Sequence, residues 1–408
     1  MGGKLGQGFR AVFVNHTHPD EKHVSALRMA SFARALSHKG HQIVLVCETL
    51  GDTDETITDL KASLAAHDFS SPFVLACRPT PTMLLARARI GKLPIGLRQM
   101  VLAGSYLLNS GVFTDWRNSA RAHIPALTKE FRPDIVWGTF GNTDVWNIAQ
   151  AIAGTASCPW VADIKDPWSR FLPSGLARLI AGRYRDAAHM TAFSDDHAEE
   201  ASQFFSQTKT TIYSGFEPCA LSRPTDGPFQ MLLTGSVYDD RSLGILLDGL
   251  AMWLRKQSIN DAVFAYAGND IDRVERQIHR LDGLARVDLN PFMPMVELND
   301  RQRLAHVNAY IHNPHCLFQH KTLELLAAGR PVISVPGEGN EAKKIARNIG
   351  GLLLTPSTPV TPEAVADALA QTTNDTPVAD PDNLNAYSWP RQADKLETLF
   401  ERIIGETP

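Results

Sequence analysis

Several features that would assign this chain to a specialised class of protein are missing from it. No uninterrupted apolar run reaches the roughly 18 residues that a membrane-spanning helix needs, and the N-terminal segment MGGKLGQGFRAVFVNH lacks the apolar core of a signal peptide. The five cysteines are widely spaced and include no Cys-x-x-Cys pair, so neither a disulfide framework nor a zinc site is indicated. A reducing, cytoplasmic environment is therefore expected.

An excess of charge of one sign is also missing. The chain has 40 Lys and Arg against 44 Asp and Glu, a formal net charge of −4. This balance argues against a nucleic-acid partner, which would call for a basic surface. At 408 residues the chain exceeds the size at which a single core stops growing, so two domains are expected.

Short apolar runs alternate with helical patterns along almost the whole chain. FRAVFVNH, SALRMASFARALSHKG and HQIVLVCE form a β-α-β unit whose strands are continuous apolar runs, as is typical of parallel sheets covered on both faces. Further strands are predicted at 134–140, 160–165, 189–194, 210–215, 229–236, 262–269, 285–292, 308–313, 331–336 and 350–356. The alternation predicts an α/β protein with two Rossmann-like parallel-sheet lobes facing a central cleft.

A segment rich in Gly, Pro and Ser, SGFEPCALSRPTDGP, interrupts this alternation near the middle of the chain and is typical of a linker. It divides the chain into an N-terminal domain at 1–215 and a C-terminal domain at 225–388. A final helix at about 389–408 could return to pack on the first domain.

Residues 82–110, TMLLARARIGKLPIGLRQMVLAGSYLLNS, combine many apolar side chains with Arg87, Arg89, Lys92 and Arg98 and lack any acidic residue. This composition favours a helix lying on an anionic membrane surface. A helical insertion packed on the first domain, with its basic residues in solvent, is the alternative.

Ligands of parallel α/β sheets bind beyond the carboxyl ends of the strands, so the turns that follow predicted strands are candidate sites. In HCLFQHKTLE, a helix starting near His320 would offer free backbone N–H groups to a diphosphate. Lys321 would add a positive charge, and Glu324, one turn along, could accept hydrogen bonds from two ribose hydroxyls. The alternative is an ordinary surface ion pair.

The turn LLTGSVYDDR, at the start of the second domain, supplies a complementary set of donors. Gly235 and Ser236 form a turn whose backbone can approach a ligand, and Arg241 can bind phosphate oxygens. Asp239 and Asp240 could instead neutralise Arg241.

The segment KTLELLAAGRPVI resembles the nucleotide-sugar signature of family 4 glycosyltransferases of the GT-B fold, with its Lys, Glu, small-residue run, Gly and Pro-Val. GNEAKKIARNIGGLLL, TGSVYDDRSLGILLDGL and ALRMASFARALSHKGHQIVLV resemble three other motifs of that family. The similarity is collinear and covers most of the chain.

The resemblance implies transfer of a hexose from a nucleoside-diphosphate sugar to a glycan or polyprenyl-linked acceptor, usually with retention and without a metal or other cofactor. It implies that Glu324 holds the ribose, that Arg241 and Lys321 hold the diphosphate, and that amides near Thr322 hold the distal phosphate. Phe292, in NPF, lies where such proteins contact the base. A location at the inner membrane face fits the segment at 82–110.

The chain departs from the family pattern in two places. Cys316 occupies the position of a Glu that often precedes the ribose-binding Glu, so the identity of the sugar stays open. NHTHPDEKH replaces the Gly-Gly that often follows the first strand, so His16 or His18 could contact the acceptor or a phosphate. Solvated loop histidines are the alternative.

The segment DIKDPW supplies the remaining acceptor-side candidates, Asp163, Asp166 and Trp168. Asp166 could face the acceptor in a catalytic role, or it could cap the turn that begins at Pro167. Trp168 could provide a platform for a sugar or a lipid.

Two other functions stay open at this point. A nucleotide-sugar epimerase of the GT-B fold would need proton-transfer groups of which no clear pair is evident, and a non-catalytic binding subunit would explain the loss of the Glu at Cys316. His306, His312, His315 and His320 lack a carboxylate at ligand spacing, so no metal site is predicted.

Overall fold

The computed structural model describes residues 8–21, 24–51, 57–173, 175–218, 227–291, 293–372 and 379–407. The chain forms two compact units, one comprising 1–214 and 389–408 and the other 215–388. Each unit is built on one parallel β-sheet with helices packed against it.

The first unit contains a seven-stranded sheet in the order β3-β2-β1-β4-β5-β6-β7. Its strands are β1 Arg10–Val14, β2 Gln42–Glu48, β3 Phe73–Cys77, β4 Ile135–Phe140, β5 Trp160–Ile164, β6 His189–Ala192 and β7 Lys209–Thr211. Its helices are α1 Val24–His38, α2 Leu60–Ala66, α3 Met83–Arg89, α4 Ile95–Asn109, α5 Thr114–Glu130, α6 Thr143–Ala156, α7 Trp168–Phe171, α8 Ala177–Ala181 and α9 Asp195–Ser202, with a 3-10 turn at Gly182–Tyr184.

The second unit contains a six-stranded sheet in the order β10-β9-β8-β11-β12-β13. Its strands are β8 Phe229–Thr234, β9 Ala262–Ala267, β10 Arg286–Asn290, β11 Val307–Ile311, β12 Val332–Val335 and β13 Leu353–Leu354. Its helices are α10 Asp240–Lys256, α11 Ile271–Glu275, α12 Met295–Leu304, α13 His320–Ala327, α14 Asn340–Asn348, α15 Pro362–Leu369 and α16 Pro381–Asn385, with a 3-10 turn at Ile278–Leu281.

The last helix, α17 Trp389–Glu406, belongs to the first unit. The ring of Trp389 packs edge-on against Phe32 of α1 at 5.3 Å between centroids. Gln392 accepts a hydrogen bond from the backbone N–H of Tyr213 at 2.9 Å. The two ends of the chain therefore share one hydrophobic core.

The sequence pattern missed one strand, and it did not resolve one helical region. β3, within SPFVLAC, is an edge strand of the first sheet. The basic, apolar segment at 82–110 forms two helices, α3 and α4, because Gly91 has a positive φ of 75° and Pro94 is the N-cap of the next helix. We refer to this element, 83–109, as the α3–α4 hairpin.

The strand order identifies the crevice of each sheet in which a ligand is expected. In an open parallel sheet the crevice lies beyond the carboxyl ends of the two strands at which the order reverses. These strands are β1 and β4 in the first sheet and β8 and β11 in the second. The turns after these four strands carry several of the predicted site residues.

Candidate functional site

The turn after β8 contacts the start of α13 at the switch point of the second sheet. Gly235 has a φ of 85°, a left-handed conformation that favours glycine, and its N–H donates to Ala267 O at 3.0 Å. A Cβ at Gly235 would lie 3.5 Å from Cε of Lys321. Ser236, next in the turn, is exposed. Gly235 and Lys321, predicted from separate motifs, are thus neighbours.

The carboxylate of Glu324 lies between two basic side chains on α13. Its Oε1 is 3.1 Å from Nε2 of His320, and its Oε2 is 3.0 Å from Nζ of Lys321. Burial alone raises the pKa of Glu324, but the charges of Lys321 and His320 outweigh that effect and hold the pKa well below its usual range. Glu324 is therefore ionised at neutral pH, and each oxygen keeps lone-pair capacity for a further hydrogen bond.

The N-terminus of α13 is positioned by contacts on both sides. Gln319, at the N-cap, accepts a hydrogen bond from the Asn313 N–H at 3.1 Å with its side chain, and it does not cap the first turn. The buried Oγ1 of Thr322 is 2.8 Å from the Tyr310 hydroxyl. The positive end of the helix dipole thus lies beside Lys321, an arrangement suited to an anion.

Arg241 lies in the first turn of α10, with its side chain exposed to solvent. Asp239 caps this helix by accepting hydrogen bonds from the N–H groups of Arg241 at 3.3 Å and Ser242 at 2.8 Å. Asp240 pairs with Nε of Arg273 at 2.8 Å. Both aspartates are therefore engaged elsewhere, and a phosphate near α10 would meet the Arg241 guanidinium rather than the capped amides.

Glu338, which follows β12, is a buried carboxylate that the sequence analysis missed. It accepts a hydrogen bond from the Tyr310 hydroxyl, its Oε1 lies 2.9 Å from Nδ1 of His312, and its Oε2 accepts from the Gly339 N–H at 3.0 Å. Burial, reinforced by Glu338, raises the pKa of Tyr310 well above its usual range, so this hydroxyl stays protonated. The available signal was a carboxylate directly after a predicted strand, the criterion that selected Asp166.

His16 lies at the switch point of the first sheet. Its Nε2 is 2.5 Å from Oε2 of Glu48, which ends β2, and its ring contacts Phe113 at 4.4 Å and Trp116 at 4.8 Å between centroids. An imidazole held by a carboxylate at one nitrogen can accept a proton from a hydroxyl at the other. Sequence reasoning missed Glu48 because it is the last residue of a different strand, β2, rather than part of the turn after β1.

His18 lies close to His16 but is mostly buried. Its Nδ1 accepts a hydrogen bond from the Asp20 N–H at 3.2 Å. Together with Glu48 and neighbouring loop residues, both histidines line a pocket of about 470 Å³. The prediction that His16 or His18 contacts the acceptor or a phosphate therefore concerns this pocket.

The structure corrects the predicted acceptor-binding role of Asp163, which is fully buried. Its Oδ1 accepts hydrogen bonds from Arg28 at 2.8 Å and Thr191 at 2.7 Å, and its Oδ2 accepts from Arg28 at 3.0 Å and Thr139 at 2.7 Å. Four hydrogen bonds occupy this carboxylate, so Asp163 joins α1, β4, β5 and β6 and does not face a ligand.

The predicted platform role of Trp168 is corrected in the same way. Its side chain is fully buried, stacks on Trp146 at 5.2 Å and contacts Phe140 at 4.9 Å between centroids. Its Nε1–H donates to Ala177 O at 3.0 Å. Trp168 is an apolar core residue, because burying its large ring stabilises the fold more than exposing the ring at a strand end would.

Asp166 remains at the surface of the first unit. Its Oδ2 lies 3.6 Å from Nζ of Lys165, beside Gly141 at the end of β4. The first N–H groups of α7, from Trp168 and Ser169, donate to Glu200 at 3.1 and 2.8 Å, so another residue performs the capping that Asp166 could have supplied.

Phe292, the residue predicted to contact the base of the donor, lies outside the described residues. Within the described ranges, no group of three or more His, Cys, Asp or Glu is arranged to hold a metal ion. Over the same ranges, no helix has both the length and the apolarity needed to cross a membrane.

Comparison with known proteins gives a likeness in structure only. No protein-family model matches the chain, and no curated protein matches it. HepE of Anabaena, in complex with UDP and glucose, superposes with a TM-score of 0.63 at 14% identity, over 97% of this chain and 100% of HepE. A glycosyltransferase from Rickettsia africae ESF-5 gives 0.63 at 14% identity, over 98% and 99%.

A putative UDP-N-acetylglucosamine 2-epimerase from Listeria monocytogenes gives a TM-score of 0.60 at 13% identity, over 98% of both chains. The chain therefore has two parallel-sheet α/β domains in the GT-B fold, the fold of HepE and of the Rickettsia glycosyltransferase.

Proposed function

We propose that this protein is a glycosyltransferase that moves a sugar from a nucleoside-diphosphate sugar to a glycan or lipid-linked acceptor. The observation that carries the proposal is the grouping of Gly235, Lys321 and Glu324 at the switch point of the second sheet. The N-terminus of α13 can bind the diphosphate of such a donor together with the cation of Lys321. The ionised carboxylate of Glu324, one turn along, can bind its ribose. HepE, which has the same fold, binds UDP and glucose.

In this proposal the second unit binds the donor. The diphosphate lies against the first turn of α13, near the amides of His320 and Thr322, with Lys321 and Arg241 as positively charged contacts and Ser236 as a neutral one. Glu324 accepts hydrogen bonds from the ribose. These positive charges stabilise the charge that develops on the leaving diphosphate, so we propose a metal-independent reaction.

The first unit binds the acceptor in this proposal. His16 and His18 contact it from the turn after β1, and Asp166 contacts it from the turn after β5. The reaction would retain the configuration of a transferred hexose, and the chain would be a member of glycosyltransferase family 4. The collinear motifs of the sequence support both statements. We place the reaction in the cytoplasm, at the inner membrane face.

A nucleotide-sugar epimerase is the second candidate. The Listeria protein has this fold, and His312 with Glu338 forms a protonatable pair joined to α13 through Tyr310 and Thr322. An epimerase leaves the altered sugar attached to the nucleotide, whereas a transferase releases the nucleoside diphosphate. Product analysis therefore separates the two reactions.

The test is to incubate the protein with UDP-, GDP-, ADP- and dTDP-linked hexoses, measuring thermal stabilisation and analysing the products. Stabilisation by one nucleoside diphosphate, with slow release of free sugar to water, is the result expected of a transferase. Conversion to an epimeric nucleotide sugar would favour the second candidate. If no nucleotide raises the melting temperature, both enzymatic functions are wrong, and a non-catalytic subunit remains.

A further inference from the structure

The α3–α4 hairpin carries an unusual share of the exposed apolar surface. Eight of the 15 large apolar side chains that are exposed among the described residues lie between Met83 and Leu108. Leu97, Met100 and Leu108, which lie on one face of α4, have 42%, 67% and 84% of their surface exposed. Scattered apolar side chains are normal on a surface, but a concentration of this kind marks an interaction site.

The hairpin is nevertheless anchored to the first unit. Arg89 makes two hydrogen bonds of 2.7 Å to Asp115 at the start of α5, and Arg98 donates to Ala88 O at 2.9 Å and ties α4 to α3. Leu85 and Tyr106 are buried in the first core. Since its inner side is packed, the apolar outer side presents a formed surface rather than a loose segment.

The charges around this surface identify what it contacts. From 69 to 114 the sequence has no Asp or Glu, while Arg87 and Lys92 are exposed on the hairpin. Arg89 is partly buried by its contacts with Asp115, whereas Arg98 is exposed even though its Nε donates to Ala88 O, so Arg87, Lys92 and Arg98 are the hairpin cations that face solvent. Apolar side chains flanked by cations, with no acidic residue, complement the headgroups and acyl boundary of an anionic bilayer.

We infer that the α3–α4 hairpin docks the protein on an anionic lipid surface by inserting Leu97, Met100 and Leu108, which share one face of α4, below the headgroups that Arg87 and Lys92 contact. Such insertion reaches roughly 5–10 Å into the interface and does not span the bilayer. The protein would bind reversibly, and salt would weaken the contact of Arg87 and Lys92 with the headgroups.

The hairpin also leads directly to the pocket that His16 lines. Arg89 packs over the ring of Phe113 at 4.7 Å, and Phe113 contacts the ring of His16 at 4.4 Å between centroids. The docking surface and His16 are therefore connected by one side chain in the same unit. The functional significance of this contact rests on the proposed function, in which the pocket at His16 binds the acceptor. Acceptor binding would then take place next to the lipid surface.

The test is sedimentation of the full chain with vesicles of phosphatidylcholine alone or mixed with phosphatidylglycerol. The wild type should bind the anionic vesicles, more weakly at high salt, and bind neutral vesicles poorly. The triple variant Leu97→Ser, Met100→Ser, Leu108→Ser should bind them at least about tenfold more weakly, because three apolar side chains no longer enter the bilayer. The pair Arg87→Glu, Lys92→Glu should also weaken binding.

A matched control replaces three exposed apolar residues of α12 in the second unit, Met295→Ser, Val296→Ser and Leu304→Ser, and should leave vesicle binding unchanged. Absence of wild-type binding to anionic vesicles, or equal binding by the triple variant, overturns the inference. The inference is also overturned if vesicle binding is absent and light scattering shows that the wild type is a dimer whereas the triple variant is not. Nucleotide-induced stabilisation should persist in the triple variant, so this experiment fails independently of the proposed function.

Discussion

Lys321 and Glu324 lie one turn apart on α13, with Nζ and Oε2 separated by 3.0 Å, and the Lys321 side chain reaches the turn at Gly235. As an isolated pair on a helix surface, these residues would contribute only about 0.2–0.5 kcal/mol to stability. Their position beyond the switch point of a parallel sheet makes them the centre of a proposed donor site.

Glu324→Gln should weaken binding of the nucleoside diphosphate that stabilises the wild type. The variant keeps the shape of the side chain but loses a charged acceptor worth about 1.5–3 kcal/mol, which corresponds to roughly a 10- to 100-fold rise in Kd. Isothermal titration calorimetry measures the change. Glu363→Gln, at an exposed carboxylate on α15, serves as the control, and equal Kd values for the two variants would remove the ribose role of Glu324.

Gly235→Ala should lower both stability and nucleotide affinity. The left-handed φ costs a non-glycine residue about 1–2 kcal/mol, and the added Cβ would also lie 3.5 Å from the Lys321 side chain. Gly283→Ala is a matched control, because Gly283 has a φ of 71° and open space around its Cβ position. Both variants should melt earlier in calorimetry, but only Gly235→Ala should raise Kd. A rise in both would assign the effect to strain alone.

Asp163→Ala and Asp166→Ala should separate a structural carboxylate from a surface one. Removing Asp163 leaves the buried Arg28 guanidinium without its partner, which should cost about 3–5 kcal/mol of unfolding free energy. Asp166→Ala should change that free energy by no more than about 0.5 kcal/mol while lowering transfer to the acceptor. Urea unfolding and turnover measure the two effects. Similar stability of both variants would contradict the structural role of Asp163.

His16→Gln should lower the turnover number and leave donor binding unchanged. If the imidazole, oriented by Glu48, exchanges a proton with the acceptor, its loss should cost about 10²- to 10⁴-fold in rate. The exposed His38 on α1 offers the control His38→Gln. A changed KM for the acceptor at constant kcat would instead assign His16 to binding.

His197 should make the protein less stable in mild acid. Burial, with Arg28 as a second cause, lowers the pKa of His197 to about 3, while the unfolded chain titrates this group near 6.5. Between about pH 3 and about pH 6.5 the unfolded state binds more protons at His197 than the folded state does. This group therefore lowers the unfolding free energy by roughly 1.4 kcal/mol for each pH unit below about pH 6.5. Urea unfolding of His197→Gln between about pH 7 and pH 5 should show a shallower decline, whereas His38→Gln should keep the wild-type slope.

The sequence pattern was sufficient for the fold. Continuous apolar runs such as QIVLVCE and FQMLLT predict strands buried on both faces, and their alternation with helices predicts parallel order. β3 was missed because a short edge strand among Pro and Ser residues carries a weak signal. The break between α3 and α4 was missed because apolar periodicity continues across Gly91 and Pro94.

The amino-acid sequence by itself determined the two-domain α/β architecture and the α13 segment that carries Lys321 and Glu324, since both depend on periodicity and on neighbours within one helical turn. Only the tertiary structure decided which strand-end carboxylates are buried and which stay accessible to solvent. Asp163 and Arg28 are 135 positions apart, and burial in a shared network removes Asp163 from the surface while Asp166, three residues later, stays there. His16, in the turn after β1, and Glu48, at the end of β2, become a pair only when the sheet forms.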